Sequence, residues 1–151
     1  MSQREGIDLE TSLGYLLKET SSALRTAMEA VLRPLGMGMT HYSSLELLAQ
    51  RPGLSNSDLA RGTFVSRQSM NVLLQNLERE GLVRRPAQPE TGRVLPVELT
   101  EKGRRQLAVA SAEVRAVEDR MKSGLDPAEQ AQLRLLLSRC VGSLTGTDTP
   151  A

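Results

Sequence analysis

Two short predicted helices, placed close together near the middle of the chain, constrain the fold more than any other feature. Ser55 begins the first helix and has an acidic residue three positions later, which is the pattern of a capping box. Gly62 is predicted to end it, and Ser66 begins a second helix that ends at Gly81. The second helix has one apolar stripe at helical spacing, formed by Met70, Leu73, Leu74 and Leu77. Two helices joined so tightly predict a helix-turn-helix.

A β-hairpin is predicted directly after these helices. Leu82–Arg85 has an extended pattern, and a turn-rich segment, "PAQPETGR", separates it from Val94–Thr100. The second segment alternates apolar and polar positions, which indicates a strand with one buried face. Pro96 cannot donate a hydrogen bond to a neighbouring strand, so this strand is predicted at an edge. The helix pair and hairpin together predict a winged helix-turn-helix.

Longer helices are predicted on both sides of this lobe. One runs from Ser12 to Arg33, a second begins at Thr40, and two follow Thr100 and Asp126. In the helix after Thr100 the apolar residues repeat at alternating steps of three and four, which is the spacing of a helix that packs along a partner helix. These are Leu107, Ala110, Val114, Val117 and Met121.

The predicted fold class is mainly α with a small β-hairpin wing, and the outer helices form a dimerisation region. The predicted divisions are an N-terminal dimerisation helix (1–36), a winged DNA-binding lobe (37–100), C-terminal dimerisation helices (101–145) and a disordered tail (146–151). The residues predicted at the dimer interface are Leu13, Leu16, Leu17, Val114, Val117, Met121, Leu133, Leu136 and Leu137.

Composition excludes several classes of protein. Aromatic residues make up 2% of the chain and Trp is absent, so the core must be built from aliphatic side chains. The single cysteine, Cys140, cannot form an intrachain disulfide and is predicted to be a buried, inert thiol. A signal peptide and a membrane span are not predicted, which favours a cytoplasmic protein. With one His, no metal-ligand spacing and no glycine-rich phosphate loop, we predict neither an enzyme nor a metal or cofactor.

Basic charge is concentrated around the helix pair and the hairpin. Between Arg61 and Arg105 lie nine basic residues and five Glu, whereas the remainder carries ten basic and thirteen acidic residues. On the second helix, Arg67, Gln68 and Asn71 share an arc with Gln75, opposite the apolar stripe. Arg can pair with guanine, and Asn or Gln with adenine, in the major groove. The predicted DNA-contacting residues are Ser66, Arg67, Gln68, Ser69, Asn71, Val72 and Gln75 on the helix, and Arg84, Arg85 and Arg93 in the wing.

Other interpretations of these residues stay open at this stage. The polar arc can be an ordinary solvated helix face, because exposed Arg and Gln are common. The hairpin can be a solvated charged loop. Asn71 can be a core or phosphate contact, whereas Arg93 near the hairpin tip is suited to a minor groove and Arg84 and Arg85 to phosphates.

Three segments resemble the multiple-antibiotic-resistance regulator (MarR) family: "PGLSNSDLARGTFVSRQSMN", "LEREGLVRR" and "VELTEKGRR". The resemblance covers nearly the whole chain. It implies a homodimeric, sequence-specific DNA-binding transcriptional regulator whose terminal helices form the interface and whose two winged lobes bind a pseudopalindromic operator. It also implies a repressor that a small aromatic or phenolic ligand releases from DNA.

The chain departs from the family pattern in the wing. Family members commonly carry Asp-Arg-Arg before the second strand, whereas this chain has Thr91-Gly92-Arg93. The arginine is kept, but the aspartate that would orient it is replaced, unless Glu90 takes that role.

The resemblance also implies an effector pocket where the first two helices meet the DNA-binding lobe. The candidate residues are Tyr15, Ser22, Thr26, His41 and Tyr42. Alternatively, His41 can be an exposed residue without a function at the start of a helix. Tyr15 can be a residue that only packs between helices.

Two alternatives to a specific regulator remain. A winged-helix protein-interaction module would have the same fold, but the basic middle of the chain argues against it. A non-specific architectural DNA-binding protein would share the basic surface and differ by binding all sequences equally.

Overall fold

A computed structural model of the chain describes residues 6–85 and 96–147. Within these ranges the fold is mainly helical with one small antiparallel sheet, which confirms the predicted fold class. In chain order the elements are α1 (Leu13–Leu32), α2 (Met39–Gln50), α3 (Asn56–Thr63), α4 (Arg67–Arg79), β1 (Val83–Arg84), β2 (Glu98–Leu99), α5 (Glu101–Lys122) and α6 (Pro127–Thr145), with a 3₁₀ turn at Arg33–Leu35.

Side-chain caps begin most of the helices where the sequence predicts them. Ser12, Ser55, Ser66 and Asp126 each accept a hydrogen bond from the backbone N–H three residues later. Ser55 and Asp126 complete capping boxes, because the acidic residue at the third helical position accepts from the backbone N–H of the cap. These local hydrogen bonds satisfy N–H groups that have no partner inside the helix, so they fix where each helix begins.

Two predicted helix boundaries are wrong: the start of α2 and the end of α3. The cap of α2 is Gly38, not Thr40, which lies inside the first turn. Helix α3 continues through Gly62, and Phe64 adopts the left-handed conformation that ends it, with a φ of 61°. A glycine usually occupies that position, because a side chain makes the left-handed region less favourable. The end of α3 predicted at Gly62 therefore lies two residues before the observed cap, Phe64.

The core is aliphatic, as the scarcity of aromatic residues requires. Leu59, Met70, Leu74 and Leu77 are fully or almost fully buried and place α3 and α4 against the same interior. Burying a side chain of this size contributes about 1.5–3 kcal/mol, so these residues dominate the packing of the helix pair. The other apolar side chains with 1% exposure or less are Leu32, Leu45, Leu82, Val97 and Ala110.

The sheet at the base of the wing is short. Val83 pairs with Leu99 and Arg84 with Glu98 in antiparallel register. Val83 and Leu99 are buried while Arg84 and Glu98, the other residues of the two strands, are exposed, so one face of the sheet packs on the core. The predicted alternation is confirmed for Val97, Glu98 and Leu99; Leu95 and the loop before it lie outside the described residues.

The chain forms two compact units, one ending at Arg115 and the other beginning at Ala116. The first contains α1 to β2 and most of α5, and the second contains the end of α5 and α6. The four divisions predicted from sequence stay a prediction.

The apolar seam of α5 is buried within the single chain. Val114 is 7% exposed and Val117 is 6% exposed, so these two side chains are already covered and are not free to form a dimer interface. Their assignment to such an interface is therefore wrong. A three-four spacing identifies a helix face that packs on something, but it does not distinguish the chain's own core from a partner. Met121, at the end of the seam, is exposed.

The terminal helices α1 and α6 do expose large apolar side chains. Leu13, Leu16 and Leu17 are between 45% and 74% exposed on α1. On α6 the side chains of Leu133, Leu136, Leu137 and their neighbours are similarly exposed. Cys140 is also exposed, so the prediction that its thiol is buried is wrong. Its place in the apolar stripe of α6 does not bury it, because that stripe is itself exposed in the single chain.

Candidate nucleic-acid interface

Helix α4 has one buried face and one polar face. Met70, Leu74 and Leu77 are buried, whereas the seven helix residues predicted to contact DNA are all exposed. These seven are Ser66, Arg67, Gln68, Ser69, Asn71, Val72 and Gln75. Arg, Gln and Asn side chains, which can each form two hydrogen bonds with one base, thus lie on the solvent-exposed face of the helix.

The first turn of α4 is stabilised by two serines. The Ser66 hydroxyl accepts a hydrogen bond from the backbone N–H of Ser69 at 3.1 Å and lies 3.0 Å from the Ser69 hydroxyl. Backbone N–H groups at a helix N-terminus attract anions such as phosphate. Both hydroxyls are exposed beside this end. Because Ser66 donates to Ser69, the hydroxyl hydrogen of Ser69 can donate to a phosphate.

The C-terminal end of α4 is held by residues from other elements. Leu82 donates to the carbonyl of Leu77 at 2.9 Å and Gly81 donates to that of Glu78 at 3.0 Å, which forms the predicted Schellman motif. The Thr100 hydroxyl donates to the carbonyl of Gly81 at 2.6 Å. Lys102 donates to the carbonyl of Glu80 at 2.8 Å. These contacts connect the end of α4 to the start of α5 and so fix the direction of the polar face.

Two of the three predicted wing arginines lie at its base. Arg84 forms an ion pair with Glu98 across the sheet, with Nε 3.4 Å from Oε2, and both side chains are well exposed. An exposed pair of this kind contributes little stability, so Arg84 can exchange its partner for a phosphate. Arg93, like Glu90, Thr91 and Gly92, lies outside the described residues, and its minor-groove role stays a prediction.

Arg85 takes part in a hydrogen-bonded chain that sequence reasoning missed. Its Nη2 donates to Oδ1 of Asn56 at 3.0 Å, and Nδ2 of Asn56 donates to Oδ1 of Asn71 at 2.6 Å. This brings together the base of the wing, the first residue of α3 and the polar face of α4. Local sequence gives no signal for it, because the three side chains come from separate segments.

A cavity of about 580 Å³ lies between α1, α2 and the turn that precedes α4. Lys18 and Arg25 supply positive charge, and the exposed Phe64 supplies an aromatic ring. The lining residues are Lys18, Ser21, Ser22, Leu24, Arg25, Met39, Thr40, Ser43, Gly62, Thr63, Phe64 and Val65. The cavity therefore combines cations, hydroxyl groups and apolar side chains, a mixture suited to a small amphipathic anion.

The structure places one of the five predicted pocket residues, Ser22, in this cavity. Tyr15 and Thr26 are exposed on α1, and Tyr42 is buried at 8% exposure. His41 is covered by other groups, described next. Sequence reasoning missed Lys18, Arg25 and Phe64, although the presence of two cations at positions 18 and 25, two helical turns apart on one helix, was a usable signal.

His41 lies close to the end of α4. Its Nε2 is 3.9 Å from Oε2 of Glu80 and has no hydrogen-bond partner in the described part of the chain. Burial lowers the pKa of His41 below its ordinary value of 6.5, and the carboxylate of Glu80 partly opposes this effect. The imidazole is therefore neutral near pH 7.

We expect His41 to make stability depend on pH. Because its pKa is lower in the folded chain than in the unfolded chain, the unfolded chain binds this proton first as the pH falls. The free energy of unfolding should therefore decrease from pH 6.5 down to the folded-state pKa and then level off. Urea unfolding of the wild type and His41→Gln between about pH 5 and pH 8 measures this. His41 is the only histidine, so identical pH profiles of the two proteins would contradict the expectation.

A second, open cavity of about 620 Å³ lies beside the base of the wing. Arg84, Arg104 and Arg105 line it, together with Leu99, Thr100, Glu101 and Ala108. Arg105 also lies 3.8 Å from Glu101. Sequence reasoning did not select Arg104 or Arg105, although both fall in the basic middle of the chain. Their position extends the basic surface from the wing to the start of α5.

The described residues give no support to two other kinds of site. No group of three or more His, Cys, Asp or Glu in residues 6–85 and 96–147 is arranged to hold a metal ion. Over the same ranges, no helix combines the length and apolar character that crossing a membrane requires.

Comparison with known proteins identifies similar sequences over most of the chain. The sequence model of the MarR family matches residues 35–94. The HTH-type transcriptional repressor Rv2887 of Mycobacterium tuberculosis is 39% identical over 134 residues, which cover 89% of this chain and 96% of the relative.

Solved structures of the same relative are similar in fold. The complex of the M. tuberculosis MarR family protein Rv2887 with salicylic acid matches with a TM-score of 0.71 and 39% identity, covering 86% of this chain and 96% of that one. The complex of Rv2887 with DNA matches with a TM-score of 0.72 and 37% identity, covering 86% and 98%.

Proposed function

The chain belongs to the MarR family of transcriptional regulators, and from this premise we propose that it is a homodimeric repressor that binds a pseudopalindromic operator and is released by a small aromatic acid. The observation that carries the proposal is the division of α4 into a buried aliphatic face and an exposed face with Arg67, Gln68 and Gln75. The complex of Rv2887 with DNA supports the DNA-binding part.

Direct base contacts are proposed for the first turns of α4. Arg67 and Gln68 lie next to the N-cap, where a recognition helix meets base edges in the major groove. Val72, which is 55% exposed, is suited to a thymine methyl group. Arg84, Arg93 and the basic surface that includes Arg104 are proposed to contact the backbone or the minor groove.

The exposed leucines of α1 and α6 support a homodimer. Each of these helices exposes leucines on successive turns. Soluble monomers rarely expose large contiguous apolar patches, and such patches usually mark an interface. We propose that Leu13, Leu16 and Leu17 on α1 and Leu133, Leu136 and Leu137 on α6 meet a second copy. A symmetric pair would place two α4 helices in successive major grooves, about 34 Å apart.

The cavity next to α4 is proposed as the effector site. A carboxylate would lie near Lys18 and Arg25, a phenol would reach the hydroxyls of Ser22 or Thr40, and the ring would stack on Phe64. The complex of Rv2887 with salicylic acid supports this class of ligand. Phe64 holds a left-handed backbone conformation while 93% exposed, and such strain is more common at functional sites than elsewhere.

This position connects the effector to the recognition helix. Phe64 and Val65 line the cavity, and Ser66 directly after them caps α4. A ligand that prefers a different arrangement of this turn would move the N-terminal end of α4, where Arg67 and Gln68 lie. The change in DNA-binding free energy that it causes is limited by the difference in its binding free energy for the two arrangements.

We expect Gln68→Ala to relax the preference for one base pair. Selection of bound duplexes from a random pool first gives the operator, and mobility-shift titrations on single-base variants then measure the preference. The loss of discrimination should be roughly 1–3 kcal/mol at one position, because the variant no longer pairs with one base. Arg84→Ala is the control, since loss of a phosphate contact weakens all duplexes alike and reduces the salt dependence by about one ion.

The same titrations test the alternatives. Equal affinity of the wild type for the operator and a scrambled duplex would replace the proposal by non-specific architectural binding. Absence of binding at low salt would favour the protein-interaction module, because phosphate contacts strengthen as salt is reduced.

Salicylate should weaken operator binding by the wild type. The double variant Lys18→Ala, Arg25→Ala should need more salicylate for the same release. Lys122→Ala removes a cation outside the cavity and serves as the matched control.

A further inference from the structure

Asn56 links two surfaces that are proposed to contact DNA. It is the first residue of α3 and is half-buried. Its Nδ2 donates to Oδ1 of Asn71 at 2.6 Å, and its Oδ1 accepts from Nη2 of Arg85 at 3.0 Å. One carboxamide therefore uses its donor toward the recognition helix and its acceptor toward the base of the wing.

This bridge requires the chemistry of an asparagine. An aspartate at position 56 would keep the acceptor for Arg85 but lose the donor for Asn71, and an alanine would lose both. The hydrogen bond from Arg85 is charge-assisted, which makes it stronger than a bond between neutral groups. The bridge holds Arg85 against the helix pair, so this arginine is oriented before any DNA is bound.

The bridge also limits what Asn71 can offer a base. Pairing of asparagine with adenine uses both the carboxamide oxygen, as acceptor, and the nitrogen, as donor. In this structure one lone pair of Oδ1 of Asn71 accepts from Asn56, which fixes the orientation of the Asn71 carboxamide and leaves Nδ2 and the second lone pair of Oδ1 for DNA. As a donor, Nδ2 fits N7 of either purine, O6 of guanine, O4 of thymine or a phosphate oxygen.

We propose that Asn56 is a positioning residue for DNA recognition, which ties the recognition helix to the wing and fixes the orientation in which the Asn71 carboxamide meets a base. The inference rests on the proposed DNA-binding function. It goes beyond it by assigning a role to a residue outside the recognition helix and by making the base preference opposite Asn71 depend on that residue.

A measurement without DNA tests the bridge itself. Side-chain NMR signals of the Asn71 carboxamide and the Arg85 guanidinium should both shift in Asn56→Ala. Asn76→Ala is the matched control, because Asn76 is exposed on α4, the helix that carries Asn71, and its side chain has no hydrogen bond to the described residues. Thermal unfolding of each variant verifies the fold. Signals of Asn71 and Arg85 that are the same in Asn56→Ala and wild type would overturn the proposal.

A measurement with DNA tests positioning. On operator duplexes that carry each of the four bases in turn, Asn56→Ala should reduce discrimination about tenfold at the one position opposite Asn71. Asn56→Asp should instead turn the Asn71 carboxamide, because its nitrogen would donate to the new carboxylate and its oxygen would face DNA. The preference at that position should then move toward bases that present donors, adenine or cytosine.

The controls separate a positioning role from charge effects and from failure of the proposed function. Ser57→Asp adds a negative charge next to position 56 and should weaken binding to all duplexes without changing the preferred base. Equal loss on all duplexes for both Asn56 variants would overturn the positioning role. A wild type that binds all duplexes equally, while the NMR shifts occur as expected, would instead refute the sequence-specific function and remove the role of the bridge with it.

Discussion

Gly103→Ala is expected to destabilise the folded protein by about 3 kcal/mol, although alanine is the better helix former. Gly103 lies in α5, where it faces the backbone of Leu82. A Cβ at this position would overlap the carbonyl oxygen of Leu82 and would lie 3.1 Å from its carbonyl carbon and 3.3 Å from Cδ2 of Leu99. A backbone carbonyl cannot rotate away as a side chain can, so the whole contact must move.

The movement would disturb the lobe that carries α4. The carbonyl of Leu82 accepts a hydrogen bond from Thr100 at 3.0 Å, and the N–H of Leu82 closes the Schellman motif at the end of α4. Urea unfolding monitored by circular dichroism would measure the loss. Gly14→Ala is the matched control: this helical glycine has only Ser12 Oγ nearby, at 3.9 Å, so alanine should stabilise by up to about 1 kcal/mol. Equal stability of Gly103→Ala and wild type would show that the close approach is absent.

Leu136→Asp is expected to give a folded protomer that no longer dimerises. Leu136 is 44% exposed in the single chain, so an aspartate there costs the protomer little. In the proposed dimer the same substitution would place two carboxylates in an apolar interface, where unpaired charges are strongly unfavourable. Light scattering should report the monomer mass, and operator affinity should fall by about two to four orders of magnitude because one binding lobe replaces two.

Val117→Asp is the informative counterpart. Val117 is 6% exposed within its own chain, so a carboxylate there should unfold the protomer at a cost of roughly 3 kcal/mol or more. The two variants therefore distinguish an interface residue from a core residue. Substitution of the interface residue should change the mass of the particle, whereas substitution of the core residue should reduce the free energy of unfolding. A dimer that persists in Leu136→Asp would refute the proposed interface, and a stable, folded Val117→Asp would refute the burial of the α5 seam.

Most of the helix starts were predictable because their signals are local. Ser55, Ser66 and Asp126 bond to backbone groups within three residues, so the pattern of residue types is sufficient. Phe64 shows the limit of such patterns. Its left-handed conformation at the end of α3 carries a cost that composition does not reveal, and a nearby glycine was the natural but wrong choice.

The candidate site was predictable only in part. The exposed face of α4 follows from helical periodicity, since a buried stripe at one side implies a solvated arc at the other. The proposed effector cavity was not predictable to the same degree, because it is formed by α1, α2 and the turn before α4 together. Of the five residues selected from sequence, only Ser22 lines it.

The sequence by itself determined the order of the helices, the aliphatic core, the hairpin and the polar face of α4, because these depend on caps and spacings within one element. Tertiary structure alone decided that Val114 and Val117 belong to the chain's own core and that Gly103 must lack a side chain. It alone joined Asn56 to Asn71, 15 residues away, and to Arg85, 29 residues away. The physical reason is that burial and side-chain hydrogen bonds depend on which elements meet in space, and a one-dimensional pattern does not specify the partner.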